Sequence, residues 1–279
     1  MSTLLDVGLG TAYERFAIYR LMEKWFGSRN IRTACEGPLD GMAGIPGLHL
    51  LGLARHGVKV TVFARSEEVA ECVRAVYRLV AADQNLETRV LADQEIPHGK
   101  YDLLVSYNAL PVASDWERHL EQLANVKAGL LMVALTNPAS YGVQLRKVQR
   151  WARREAQREL FDHVATHEDV IEPALKRVGT ILDHAYLDCP WWPDFLLPAR
   201  QNLAGALLKK AKRLSNRNER SEEVQRFVFG PASYPFFEDQ PGHAELRRTL
   251  RFHPVFDEKP AAVARLFGHL HAYLVQNHP

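Results

Sequence analysis

The chain has 279 residues, 47% of them hydrophobic, which supports a packed core in one large domain or two modest ones and excludes a disordered chain. A formal charge of +2 does not require a nucleic-acid partner. Three distant cysteines, Cys35, Cys72 and Cys189, exclude a disulfide framework and a zinc site and point to a reducing, cytoplasmic compartment. No stretch reaches the roughly 18 consecutive apolar residues of a transmembrane helix. The opening MSTLLDVGLG lacks the basic start and apolar run of a secretory signal.

Tyr13, Phe16, Ala17, Tyr19, Arg20, Met22, Glu23 and Phe26 recur at helical spacing and predict an amphipathic helix over 11–27, stopped by Gly27. This helix either packs on the edge of a sheet or forms a lid that turns Tyr13, Arg15 and Tyr19 toward a ligand. A β-like run over 31–35 then enters a bend rich in glycine (Gly37, Gly41, Gly44 and Gly47). A helix-like run over 48–54 follows, then Gly57 and a second strand over 58–63. Strand, glycine loop, helix and strand make the unit of a nucleotide-type binding fold, because glycines let the backbone approach a ligand and the helix start offers free N–H groups.

Ser66, Glu67 and Glu68 suit a helix start, and that helix is predicted to reach about residue 82. Strands are expected over 88–92, 101–107 and 130–135, with a helix from Ser114 and Asp115 to before Gly129. The alternation predicts an α/β fold with an open, mostly parallel sheet and helices on both faces.

Beyond 138 the chain is helical and basic. Arg146, Lys147, Arg150, Arg153, Arg154 and Arg158 share a helical frame with Leu145, Val148, Trp151 and Leu160. This reads as a solvated basic face on a packed amphipathic helix, or as a surface for an anionic partner. Thr166-His167-Glu168-Asp169 reads as a capping box, followed by a helix to Arg177, a C′ glycine at Gly179 and a strand over 180–187. His163 and His167 would share a helix face only if no cap separated them, so no metal site is expected.

The run DCPWWPDF, 188–195, contains prolines that forbid a central strand; it is either aromatic packing or an apolar wall at the substrate end of the sheet. A helix over 198–213, a polar loop over 215–223, strands over 225–229 and 250–256, and a final helix over 261–276 complete the reading. No linker composition appears, so 1–279 reads as a single domain: a helical lead (1–30), a binding core (31–137), a helical insertion (138–165) and a C-terminal part of the sheet with helical additions (166–279).

The order EGPLDG (36–41), the second strand before Ser66-Glu67-Glu68, LADQEIP (91–97), YDLLVSYNALP (101–111) and THEDVIEPALKRVGTILDHAYLD (166–188) resembles a class I S-adenosylmethionine-dependent methyltransferase. The resemblance implies a seven-stranded, mostly parallel Rossmann-like sheet. It implies that Glu36, Gly37, Asp40, Gly41 and Gly44 cradle the amino-acid part of S-adenosylmethionine. Asp93 and Gln94 would lie beside the adenine, and Tyr107 and Asn108 would line the cleft near the sulfonium. The family's ribose-binding acid falls at Phe63-Ala64-Arg65, and Ala64 cannot accept a hydrogen bond.

The resemblance implies a transferase acting on an acceptor that the sequence does not name. A small molecule fits best, since no nucleic-acid module is visible, although the basic stretches 146–158 and 209–220 leave RNA, an acidic protein or an anionic membrane surface open. Tyr13, Tyr19, Trp191 and Trp192 are the candidate acceptor contacts. Tyr13, His49, Tyr107, Asn108 and Asp188 are the candidates for a catalytic base, none of them singled out. Two other readings remain. One is a methyltransferase-like subunit without catalysis, serving as a binding or scaffold partner, with a homodimer or larger complex left open. The other is an NADP-dependent reductase, since Arg65 could pair with a 2′-phosphate. No tyrosine is followed by a lysine four residues on, as a short-chain-type reductase would need.

Overall fold

The computed structural model describes residues 6–7, 9–37, 45–92, 95–153, 163–188, 228–229, 237–240, 242–250 and 260–278. Seven strands form one sheet: β2 (Thr33–Glu36), β3 (Lys59–Ala64), β4 (Leu86–Val90), β5 (Lys100–Tyr107), β6 (Lys127–Thr136), β7 (Gly179–Leu187) and β9 (Leu270–Asn277). Their spatial order is β4-β3-β2-β5-β6-β9-β7. Only β9 runs against its neighbours, pairing antiparallel with both β6 and β7. This is the seven-stranded, mostly parallel Rossmann-like sheet that the resemblance implies. A separate two-stranded ribbon joins β1 (Asp6–Val7) to β8 (Val228–Phe229).

Strand alternation explains why both faces are covered. Met132 and Ala134 of β6 face one core with Ala34, Val60 and Val105, while Leu131, Val133 and Leu135 face the other with Cys35 and Leu104. Helix α1 (Leu9–Phe26), the short α2 (Leu51–Arg55) and α3 (Glu67–Leu79) close the first face through Ile18, Trp25, Leu51, Val73 and Tyr77. Helices α4 (Trp116–Asn125) and α6 (Glu168–Val178) close the second through Leu120, Leu123, Ile171 and Leu175. Both starts expected at Ser66 and Asp115 are side-chain caps: Ser66 Oγ accepts from Val69 N (3.3 Å) and Asp115 Oδ1 from Arg118 N (3.0 Å). No helix among the described residues is long and apolar enough to cross a membrane.

Five expectations are corrected. The final helix over 261–276 is instead α8 (Ala261–Phe267) followed by β9. Gly268 ends the helix, and a Cβ there would lie 2.8 Å from the Ala264 carbonyl oxygen. Buried Asn137 then donates to the carbonyls of Arg265 (2.7 Å) and Gly268 (2.8 Å), so the helix end is satisfied by β6's own loop. The run LHAYLV is buried throughout because β9 is an inner strand with a core on each face.

Secondly, Thr166 does not cap α6. It closes a 3-10 turn, Val164–Thr166, by donating its hydroxyl to His163 O (2.6 Å), and the cap residue is His167. Glu168 accepts instead from Tyr186 (2.6 Å) and Arg265 (3.2 Å).

Thirdly, Gly179 is not a left-handed helix stop. It is extended (φ −171°) and opens β7, where a Cβ would meet Gln276 O at 2.4 Å. Close strand approach, not backbone handedness, requires glycine there.

Fourthly, α5 (Tyr141–Arg153) turns its apolar stripe outward. Leu145, Val148 and Trp151 are 49%, 62% and 82% exposed, while Val143 is buried and Tyr141 packs on Phe267 (ring centroids 5.2 Å). The first turn, against α8, sets the packed side. Fifthly, Leu250 closes α7 (His243–Leu250), which sequence patterning did not predict, rather than opening a strand. The expected strand over 251–256, the helix over 198–213 and the loop over 215–223 lie outside the described residues.

Candidate functional site

The chain order reverses at β2, whose neighbours are β3 on one side and β5 on the other. Ligands in open α/β sheets bind outside the carboxyl ends of strands at such a point. A cleft of about 750 Å³ lies there. Gly37 after β2, Arg65 after β3 and Ser106 and Tyr107 at the end of β5 line it, with Glu95 and the first turns of α4 opposite.

Of the expected site residues, the structure brings Gly37, Arg65 and Tyr107 to this cleft. Glu36 and Ala64 are fully buried beside it at the ends of β2 and β3. Arg65 donates from its guanidinium to the Ala92 carbonyl, bridging the ends of β3 and β4. Asn108 is left-handed (φ 48°), a conformation asparagine tolerates, and its Oδ1 accepts from Thr136 N (2.8 Å), so it fastens β5 to β6. Asp40, Gly41, Gly44, Asp93, Gln94, Trp191 and Trp192 lie outside the described residues. Tyr13 is buried in the core, and the Tyr19 hydroxyl donates to Leu48 O (2.6 Å).

A buried polar network sits behind the cleft. Arg15 of α1 donates to His49 Nε2, and His49 Nδ1 donates to Glu36 Oε1 (2.8 Å). An arginine can only donate, which fixes the imidazole tautomer with its proton on Nδ1. Glu36 Oε2 is buried and has no hydrogen-bond partner among the described residues. The His49 ring packs on Tyr107 (centroids 4.2 Å), and the Tyr107 hydroxyl donates to Glu14 Oε1 (2.7 Å). Burial, then the charge of Glu14, push the Tyr107 phenol well above its ordinary pKa. It therefore stays a hydrogen-bond donor and is not poised as a base.

Glu14 is the residue that sequence reasoning missed, and Arg15, which one of the two readings of α1 turned toward a ligand, is buried against His49. On a helical wheel Glu14 and Arg15 pass for solvent-side charges. The available signal was His49 inside the apolar run GLHLLGLA, since a histidine buried there needs polar partners.

A second pair, His269 Nδ1 and Asp188 Oδ2 (3.1 Å), sits buried where β7 ends, with Asp188 left-handed (φ 54°). Among the described residues no three His, Cys, Asp or Glu side chains converge as a metal ion would need.

No family model matches the sequence, and no curated protein matches it. Solved structures do. Magnesium protoporphyrin IX methyltransferase from Synechocystis PCC 6803, with bound SAH, is 15% identical over 63% of this chain and 78% of its own, with a TM-score of 0.49. The MccD protein is 9% identical over 98% of this chain and 100% of its own (TM-score 0.48). Geranyl diphosphate C-methyltransferase from Streptomyces coelicolor A3(2) is 10% identical over 93% and 75% (TM-score 0.45). At these identities and scores the matches add nothing to the fold already described from its strand order.

Proposed function

We propose that this protein is an S-adenosylmethionine-dependent methyltransferase acting on a small-molecule acceptor. The observation that carries the reading is the polar cleft at the reversal point, with a buried acid, Glu36, ending β2 and Gly37 directly after it. The residues fit the cofactor's chemistry. The buried Glu36 oxygen, without a partner among the described residues, is the acceptor an ammonium needs, and a Cβ at Gly37 would press on the Pro97 ring (3.0 Å to Cγ), so glycine keeps the bend close to its neighbour without a clash.

Ala64 cannot hold a ribose. Among the described residues the cleft wall holds two acids, Asp115, which caps α4, and Glu95, which follows β4 beside the β3 end where Ala64 sits; Glu95 is assigned as the ribose acceptor. Asp40, Gly41 and Gly44 keep their proposed place around the amino-acid part, Asp93 and Gln94 beside the adenine, and Trp191 and Trp192 against the acceptor. When bound, the cofactor supplies an electrophilic methyl group. The chain's own residues align the acceptor and exclude water, with Tyr107 and His49 backing the cleft.

Calorimetric titration tests this. Micromolar binding of S-adenosylmethionine and S-adenosylhomocysteine supports it, and no heat at millimolar ligand overturns it. Ala64 and Arg65 favour a second reading, a nicotinamide-phosphate site or a subunit without catalysis. NADPH binding in the same titration would mark the former, and silence with every ligand the latter.

A further inference from the structure

A second cleft, of about 740 Å³, lies along the outer side of α1, against α2 and the segment that leads into α7. Its walls are apolar: Phe16, Met22, Phe26, Leu53, Val58 and Phe237. Volumes of roughly 300–1,000 Å³ with mostly apolar walls are those of small-molecule sites. The apolar wall follows α1 from Phe16 to Phe26, about 15 Å of helix at 1.5 Å per residue, so the space is elongated.

The far wall is braced. Phe237 stacks on Tyr19 (centroids 5.6 Å) and lies under the Arg55 guanidinium (4.3 Å), while Arg55 holds Asp239 with two hydrogen bonds of 2.8 and 2.7 Å. His243 meets Phe16 edge-on at 5.8 Å. The rim carries three arginines, Arg20, Arg29 and Arg247, against two glutamates, Glu23 and Glu238. Glu238 pairs with Arg247 (3.5 Å) and Arg29 Nε donates to Trp25 O (2.8 Å), so the rim keeps an excess of one positive charge. His49 also lines this cleft, and its ring packs on Tyr107, which lines the first cleft (centroids 4.2 Å).

We infer that this second cleft is a binding site for an elongated apolar molecule bearing an anionic group, distinct from the polar cleft at the strand ends. The apolar walls take the hydrocarbon or aromatic body, and the arginine rim takes the anion. The inference needs no activity in the first cleft.

The probe is 8-anilinonaphthalene-1-sulfonate, an aromatic anion, titrated by fluorescence into the full chain and displaced with dodecanoate. One site of micromolar affinity that dodecanoate empties is expected. Gly52 lines this cleft, and a Cβ there finds only Tyr19 Cδ1 at 3.8 Å, so Gly52→Leu fills the space and should weaken the probe at least tenfold. Arg29→Glu, at an exposed position, should weaken it severalfold, and Trp151→Ser on the exposed stripe of α5 should leave it unchanged. Thermal melting shows that each variant is folded. The inference is overturned if the folded native chain does not bind the probe, or if folded Gly52→Leu and Arg29→Glu bind it as the native chain does. It is overturned equally if Trp151→Ser abolishes binding or S-adenosylhomocysteine displaces the probe.

Discussion

At the end of β2, Glu36 has one oxygen on His49 and another with no partner among the described residues, both closed off from water. A half-satisfied buried acid is expensive unless a ligand or a positive neighbour completes it. Removing it takes the acceptor from His49 Nδ1 and leaves Glu14 (3.3 Å) as the acid beside buried Arg15. Glu36→Ala should therefore lower unfolding free energy by about 3–5 kcal/mol, the usual loss when one member of a buried charged network is deleted, as read by urea denaturation. Glu95 carries the other residue-level claim. Its side chain is exposed and accepts from Ala92 N (3.0 Å), so Glu95→Gln should leave the melting temperature within a degree or two. If it replaces the missing ribose acid, the change should weaken S-adenosylhomocysteine about tenfold to a hundredfold, the worth of a hydrogen bond to a charged group, in a calorimetric titration. Unchanged affinity would remove Glu95 from the site.

Among elements, the junction of α8 and β9 depends on Asn137, which supplies both buried hydrogen bonds to the helix end. Asn137→Ala leaves two carbonyls without those donors and should cost about 2–6 kcal/mol at roughly 1–3 kcal/mol per unsatisfied group. Hydrogen exchange should speed up in β9 before it does in β2 or β5. That junction is also where sequence patterning misled. Strands such as β5 and β6 were legible because a strand buried on both faces is a continuous apolar run bounded by turns. β9 is equally apolar, but it follows an alanine-rich helical stretch with one glycine between them, and the partners that make it a strand, β6 and β7, are distant in sequence. The helix start at Ser66 was legible because its cap is local. The cap at Thr166 was misplaced by one residue because a 3-10 turn used the hydroxyl first. Within the site, Glu36, Gly37, Arg65 and Tyr107 could be read from strand ends. The link from α1 through Glu14 and Arg15 could not, because only the tertiary fold brings a helix end onto β2 and β5.

For the whole molecule, the β7–β9 side of the sheet contributes to acid sensitivity through two buried histidines. Burial, with His184 beside it, pushes the His271 imidazole down to about 3 from its ordinary 6.5, with the Thr166 backbone pulling weakly the other way. His184 is lowered as well, chiefly by burial. Glu168, Glu172, Asp183, Arg265, His167, Tyr186 and Tyr273 are the other titratable or charged groups around the pair. Above pH 6.5 both the folded and unfolded histidines are neutral, and His271 makes no pH-dependent contribution. As pH falls below 6.5 the unfolded chain takes up a proton that the folded chain refuses until about pH 3, so stability declines through that window. The loss from His271 should be on the order of 2 kcal/mol at pH 5. His271→Phe keeps an aromatic ring there without the proton and should flatten the acid limb of the stability–pH curve measured by urea denaturation.

The claim that ties residue, element and molecule together is that the polar cleft at the reversal point takes S-adenosylmethionine. The most direct measurement is a crystal structure of the full chain grown with S-adenosylhomocysteine. The account predicts density for the nucleoside beside Gly37, Arg65 and Glu95, with the amino group toward Glu36. Density elsewhere on the molecule, or a filled cleft holding a different ligand while S-adenosylhomocysteine is absent at millimolar concentration, would contradict it.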